Sequence, residues 1–237
     1  MFELEDKVIF VTGGNRGIGA AIVEVLEGMG AKVAYTYRSE PGPDAALAIK
    51  ADVTDPDSME QTVNRIEAEI GPIYGVVPNA GITKDGLFPN ISVEDWYAVI
   101  DTNLNGVYNT IRPIVPKLYE RQSGSLVFIS SVVGEQGNVG QANYAATKSA
   151  MIGLAKTLGL EGARYNVRAN VVAPGFTSTD MVKSIPDKVK ERILAKIPMR
   201  RFAEPEEIAY AVAFLLSPNL SAYITGECMS INGGQYT

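Results

Sequence analysis

The sequence predicts an α/β fold: a single domain built on a doubly wound, parallel, seven-stranded sheet with helices on both faces. Three observations carry this. Short apolar runs alternate with segments of helical period along the chain. The apolar runs lack polar alternation, as expected of strands buried on both faces. No linker, repeat, low-complexity tract or charged block divides the 237 residues, so nothing marks a second domain. Right-handed crossovers then wind the sheet both ways and place ligands at the carboxyl ends of its strands.

The elements follow in order. Residues 7–12 read as a first strand that runs into a glycine-rich turn. Residues 17–29 carry Ile18, Ile22, Val25, Leu26 and Met29 at helical spacing, and Gly30 ends that helix. Strands are expected over 32–37 and 47–53, joined by a short connection. An amphipathic helix over 56–70 is broken by Gly71 and Pro72. The fourth strand, 73–79, must place Pro78 at its very end, because proline gives the ladder no donor. Residues 92–121 read as a long helical region, opened by a capping box of Ser92 with Asp95 and bent or interrupted at Pro113 and Pro116. A strand over 125–131, a helix over 143–163 and a strand over 168–173 come next. After Pro174 and Gly175 lies a less regular stretch, then a helix over 204–216 and a closing strand over 227–231.

Composition excludes several classes of function. Hydrophobic residues make up 46% and charged residues 20%, a soluble globular balance that buries a large core without metal or disulfide staples. There are 21 Lys and Arg against 27 Asp and Glu, a net charge of −6, with no basic cluster; nucleic acid and anionic membranes are not the expected partners. The chain has no histidine, which removes histidine bases, Ser-His-Asp triads and His-ligated metals. Its one cysteine, Cys228, allows no internal disulfide and no Cys-rich zinc site. The first six residues lack the regions of a signal peptide, and the most apolar helical stretch, 209–216, is far shorter than the ~20 residues of a membrane span. A reducing cytoplasm is the expected location.

Two sets of residues point to chemistry. Gly13, Gly14, Asn15, Arg16, Gly17, Ile18 and Gly19 join the first strand to the first helix. Glycines there permit a tight turn and bring backbone N–H groups to a pyrophosphate, with the helix dipole behind them. In a strand–turn–helix unit such a turn is expected to be the phosphate loop of a Rossmann-type dinucleotide-binding domain. An acid at the end of the second strand accepts from the ribose 2′-hydroxyl in sites that prefer NAD. Tyr37 and Arg38 stand here instead, and Arg16 supplies another cation. A guanidinium pairs with a 2′-phosphate, so the expected cofactor is NADP(H). The second set begins with Ser131 at the end of the fifth strand. Tyr144 and Lys148, at i and i+4, share one face of the following helix. A nearby ammonium stabilises a phenolate, and such a pair moves protons without histidine. An isolated Tyr-x-x-x-Lys is more often an ordinary helix face; the combination with the loop and with Asn79-Ala80-Gly81 is specific.

On these residues the chain resembles the short-chain dehydrogenase/reductase family from about residue 4 to 234. Asp52 and Val53, Asn103, and Pro174-Gly175 complete the match. The resemblance implies that Tyr144 gives the proton to a carbonyl oxygen, Ser131 binds that oxygen, and Lys148 holds the nicotinamide ribose. Asn103 is implied to bind a water linked to Lys148. Asp52 and Val53 are implied to contact the adenine; Asn79, Ala80 and Gly81 to line the cofactor; and Pro174, Gly175, Thr177 and Thr179 to border the nicotinamide. Gln141, with Ser131 and Tyr144, is implied to bind substrate. Within the family the chain is most similar to reductases of 3-oxoacyl thioesters, whose product is an (R)-3-hydroxyacyl thioester. Residues 177–201 look like the cap over the acyl chain, so that 1–237 form one NADP-binding domain with its cap.

Two departures matter. Pro78 replaces the usual Asn before Asn79. The two basic positions that dock an acyl carrier protein in the family fall on Gln122 and Tyr165, with Arg121 and Arg164 one residue earlier. An acidic carrier needs complementary charge, and one residue on a helix turns a side chain by about 100°. This narrowly favours acetoacetyl-CoA over a carrier-bound substrate. The alternatives are a reductase of another ketone (steroid, polyol or small ketone), an extended-type epimerase or dehydratase, and a non-catalytic dinucleotide-binding protein. The extended type needs a substrate lobe for which the residues after Pro174 leave no room, and the non-catalytic type tends to lose the Tyr or Lys kept here. Family members assemble through the 92–121 and 143–163 helices and the C-terminal elements, so a homotetramer is expected.

Overall fold

The computed structural model describes residues 2–179 and 187–237. The described residues form one parallel sheet of seven strands: β1 (Val8–Thr12), β2 (Lys32–Tyr37), β3 (Leu47–Lys50), β4 (Ile73–Val77), β5 (Gly124–Ile129), β6 (Val167–Pro174) and β7 (Cys228–Ile231). Their spatial order is β3-β2-β1-β4-β5-β6-β7. The winding reverses between β1 and β4, where a doubly wound sheet opens a crevice. The helices are α1 (Gly17–Gly28), α2 (Pro56–Glu69), α3 (Val93–Ile100), α4 (Gly106–Ile111), α5 (Val115–Arg121), α6 (Val132–Gln136), α7 (Ala142–Gly162), α8 (Asp187–Lys196) and α9 (Pro205–Leu216).

Both faces of the central strands are packed, which is why those strands show no polar alternation. Ile9, Val11, Val127 and Ile129 join Ile22 and Leu26 of α1 and Val212 and Leu216 of α9 in one core. The residues between them, Val8, Phe10, Leu126 and Phe128, face Val63 and Ile66 of α2, Ile111 of α4, Leu118 of α5 and Met151 of α7 in the other. At β3 the covering is one-sided: Ile49 is buried, whereas Ala48 and Lys50 are exposed. The β2–β3 connection, residues 38–46, contains no helix. Side chains hold it instead. The buried Tyr35 hydroxyl accepts from Gly42 N–H at 2.9 Å and donates to the Pro43 carbonyl at 3.0 Å. The Glu27 carboxylate accepts from Val33 N–H at 3.0 Å and Ala46 N–H at 2.9 Å.

Several boundaries differ from expectation for local reasons. The third strand stops at Lys50 because Asp52 Oδ1 accepts from Thr54 N–H at 2.9 Å and from Thr54 Oγ1 at 2.8 Å, turning the chain. β4 ends at Val77, with Pro78 just beyond it. The 92–121 region is divided into α3, a π-helical turn at Asp101–Asn105, α4, a break around Pro113, and α5. Pro116 interrupts nothing, since it lies in the first turn of α5, where no N–H is needed. Ser92 caps α3 by accepting from Asp95 N–H at 3.0 Å, but the Asp95 carboxylate pairs with Lys84 at 3.4 Å, so only half of the expected box forms. The irregular stretch after β6 contains α8. The expected cap, 177–201, lies partly outside the described residues, at 180–186. Among the described residues no helix is long and apolar enough to cross a membrane.

Candidate active site

The turn after β1 is shaped for an anion. Gly13 has φ +65° and Gly17 φ +55°, in the left-handed region that glycine adopts without strain. Gly19 has no room for a side chain, because a Cβ would strike the Gly13 carbonyl oxygen. The first turn of α1 has no side-chain cap and no acidic residue, which leaves its N–H groups open to a ligand. The neighbouring strand braces this turn. Thr12 Oγ1 accepts from the Asn79 and Ala80 N–H groups, both at 3.1 Å. Asn79 Nδ2 donates back to the Thr12 and Gly13 carbonyls at 3.0 and 3.1 Å. Asn15 Nδ2 donates to the Glu40 carbonyl at 3.1 Å and ties the turn to the 38–46 connection.

The second half of the site lies where β5 meets α7. Ser131 caps α6, its hydroxyl accepting from Val133 N–H at 3.1 Å. Lys148 is buried, and its Nζ donates to the Ile129 carbonyl at 2.7 Å. The same ammonium lies 5.5 Å from the centroid of the Tyr144 ring. Ser130 Oγ donates to the Lys148 carbonyl at 2.7 Å, so consecutive residues of the strand end grip α7. Burial pushes Lys148 down to about 8. Burial also pushes the Tyr144 phenol up to about 12; the Ser131 hydroxyl acts the other way, and the Asp85 carboxylate adds to the rise. The lowered phenol expected from Lys148 is therefore not what the protein alone produces, because desolvation outweighs the Ser131 hydrogen bond and the nearby Asp85 charge works in the same direction as burial.

One cavity of about 860 Å³ joins the two halves. Its phosphate-loop end is lined by Gly13, Asn15, Arg16, Gly17, Ile18 and Gly19, with Arg38, Asp52 and Val53 beside them. Asn79, Ala80 and Gly81 line its middle. Ser131, Gln141, Tyr144 and Lys148 line the far end, with Pro174, Gly175, Thr177 and Thr179 along one wall. Gly14 of the turn does not line it, and neither does Asn103. It is buried behind the cavity, where Oδ1 accepts from Ile82 N–H at 2.8 Å and Nδ2 donates to the Ile82 carbonyl at 2.9 Å and to Thr147 Oγ1 at 3.4 Å. The sequence reading missed Thr36, Ser39 and Ser130, which also line the cavity. Their only signal was position, at or just beyond the carboxyl ends of β2 and β5.

Size and chemistry fit a dinucleotide: a glycine turn with open amides, two guanidinium groups at one end, and a hydroxyl, a phenol and an amine at the other. Comparison with known proteins agrees. The family model described as Enoyl-(Acyl carrier protein) reductase matches residues 13–236. An acetoacetyl-CoA reductase of Synechocystis sp. is 56% identical over 235 residues, covering 99% of this chain and 98% of the relative. A 3-oxoacyl-acyl-carrier-protein reductase of Escherichia coli is 43% identical over 240 residues, covering 98% of each chain. An acetoacetyl-CoA reductase of Shinella zoogloeoides is also 43% identical, covering 97% of this chain and 98% of the relative. The chain belongs to the short-chain dehydrogenase/reductase family, oxidoreductases that work with a nicotinamide cofactor.

Proposed function

We propose that the protein is an NADPH-dependent reductase that converts the 3-keto group of a 3-oxoacyl thioester, acetoacetyl-CoA by preference, to the (R)-3-hydroxyacyl thioester. The observation that carries this is the single cavity lined by the glycine turn at one end and by Ser131, Tyr144 and Lys148 at the other. The bound cofactor supplies the hydride. The chain's own residues do the rest. Arg16 and Arg38 line the end where a 2′-phosphate is held, which supports NADP(H) over NAD(H). Ser131 donates to the ketone oxygen and stabilises the charge that develops on it. Tyr144 delivers the proton, and its raised pKa keeps that proton in place through the neutral range. Lys148 stands against the phenol and the strand end, where its charge favours proton release as the alkoxide forms. Asn103 acts from behind by fixing the Ile82 backbone to α7 through Thr147.

The carrier is read from the face bearing Gln122 and Tyr165. Arg121 is committed to the Glu67 carboxylate at 2.7 Å, and Arg164 lies over the Tyr165 ring at 4.7 Å. Tyr165 itself stacks on Tyr119, with centroids 4.5 Å apart. Arg121 is held by an acid of its own chain, Arg164 is drawn over a ring, and the docking positions themselves carry Gln122 and Tyr165, which supports coenzyme A as the carrier. The exposed apolar residues Tyr97, Tyr108 and Leu160 on α3, α4 and α7, with Tyr210 and Tyr223 near the C-terminus, support the homotetramer. The test is kcat/KM for acetoacetyl-CoA and for an acetoacetyl carrier protein, each with NADPH and NADH. The coenzyme A substrate and NADPH should be preferred, the latter by about 10- to 100-fold, the worth of one charged pair. Absence of NADPH oxidation with either thioester would remove the assignment.

A further inference from the structure

The loop of residues 82–86 and the turn ahead of α7 are stitched together beside Tyr144. Gly86 N–H donates to the Gly140 carbonyl at 2.8 Å, and Asn143 Nδ2 donates to the Lys84 carbonyl at 3.0 Å. Between these ties runs a chain of side chains. Asn138 Nδ2 donates to Gln141 Oε1 at 2.8 Å, and Gln141 Nε2 donates to both oxygens of the Asp85 carboxylate at 3.1 Å. A carboxylate only accepts, and the Asn138 amide nitrogen only donates, so these two neighbours fix which end of the Gln141 amide faces which way. The two carboxylate oxygens lie close together as seen from Nε2, whereas its two N–H bonds diverge widely. One hydrogen therefore serves both oxygens and the other is left over. Gln141 lines the same cavity as Ser131 and Tyr144. A 3-oxoacyl thioester brings two carbonyl groups into that cavity, and Ser131 with Tyr144 engages only the ketone.

We infer, on the basis of the function proposed above, that Asp85 is a positioning residue: it holds the Gln141 amide so that its second N–H is offered to the thioester carbonyl of the substrate. The site thereby selects compounds with a second carbonyl two carbons from the ketone. An amide at position 85 would present donors as well as an acceptor to Gln141 and release its orientation, so charge as well as shape is needed at this position.

The test compares Asp85→Asn, Asp85→Glu and Gln141→Leu with the wild type on acetoacetyl-CoA and on a monoketone that lacks the second carbonyl. Asp85→Asn and Gln141→Leu should each lower kcat/KM for acetoacetyl-CoA about tenfold, mainly through KM, the scale of one lost hydrogen bond. The loss should be about tenfold smaller on the monoketone, which never used the bond; the change that Asp85→Asn makes at the Tyr144 phenol falls on both substrates alike, so the ratio of the two kcat/KM values is the readout. Asp85→Glu keeps the carboxylate and should recover part of the loss. Calorimetric binding of acetoacetyl-CoA should weaken by the same factor as KM rises, a readout independent of turnover; it decides the matter if the monoketone proves inert. Equal losses on both substrates, or an Asp85→Asn enzyme with wild-type KM and affinity, would overturn the positioning role and leave the proposed function standing. A wild-type protein that binds and reduces no 3-oxoacyl thioester would remove both.

Discussion

The two ends of the cavity are held by different means. At the β5–α7 end, buried bonds to Ile129, Ser130 and Lys148 fix the reacting side chains to a strand packed on both faces. At the β1–β2 end, Arg38 and Ser39 project from a connection without a helix, secured by Tyr35, Glu27 and one exposed bond from Asn15 to Glu40. A position that must hold a proton within hydrogen-bond reach requires over-determined geometry. A position that reads one phosphate needs charge within reach and tolerates a looser support. Substitutions at the first end and in the glycine turn should therefore act through burial and steric fit, and those on the 38–46 connection through charge.

The largest effect follows from the cost of burying Lys148. Its folded pKa, about 8, lies below its ordinary value of 10.5, so between these values the unfolded chain binds the extra proton. The contribution of this group to stability is full above 10.5 and is lost as pH falls through 8. Lys148→Met should thus be more stable than the wild-type apoenzyme at neutral pH, by about 3 kcal/mol at most, and the gap should close toward pH 10.5. Urea unfolding of both proteins at several pH values measures this, and a gap that widened with pH would contradict it. Next, Gly19→Ala should weaken NADPH binding roughly 100-fold, because the new methyl displaces the loop through the Gly13 carbonyl; a fluorescence titration reads it. Arg38→Asp should raise the NADPH KM by about tenfold or more while leaving the NADH value nearly unchanged, since only the 2′-phosphate senses that charge. The smallest effect belongs to Asn15→Ala, which unties an exposed bond and should cost the NADPH affinity only about threefold. A larger loss there than for Arg38→Asp would show that the support of the connection, and not its charge, governs cofactor binding.

Legibility in the sequence follows the same division. Repeating patterns were readable: β2 spans the expected 32–37, and Pro78 ends its strand because no ladder donor is available there. The glycines were readable because the turn and the close approach at Gly19 leave no alternative. The helixless β2–β3 connection was foreseen only as short, since its support comes from Tyr35 and Glu27, residues of other elements. The π-helical turn at Asp101–Asn105 was invisible, because one extra residue per turn barely alters an apolar period. The same limit hid the placement of Asn103, a residue the family pattern picks out, which sits behind the cavity. The direction of the Tyr144 shift was misjudged because a one-dimensional reading sees the neighbouring amine but not how far both groups are removed from water. The Asp85–Gln141 tie joins residues far apart in the chain, and nothing in their spacing announces it.

The central claim is that the Tyr144 hydroxyl supplies the proton for ketone reduction. Tyr144→Phe keeps the ring and removes only that group, so turnover of acetoacetyl-CoA with NADPH, followed alongside NADPH binding in the same preparation, tests it most directly. The account predicts a fall in kcat of about 10²- to 10⁴-fold with cofactor affinity unchanged. A variant that binds NADPH normally and turns over at close to the wild-type rate would contradict it.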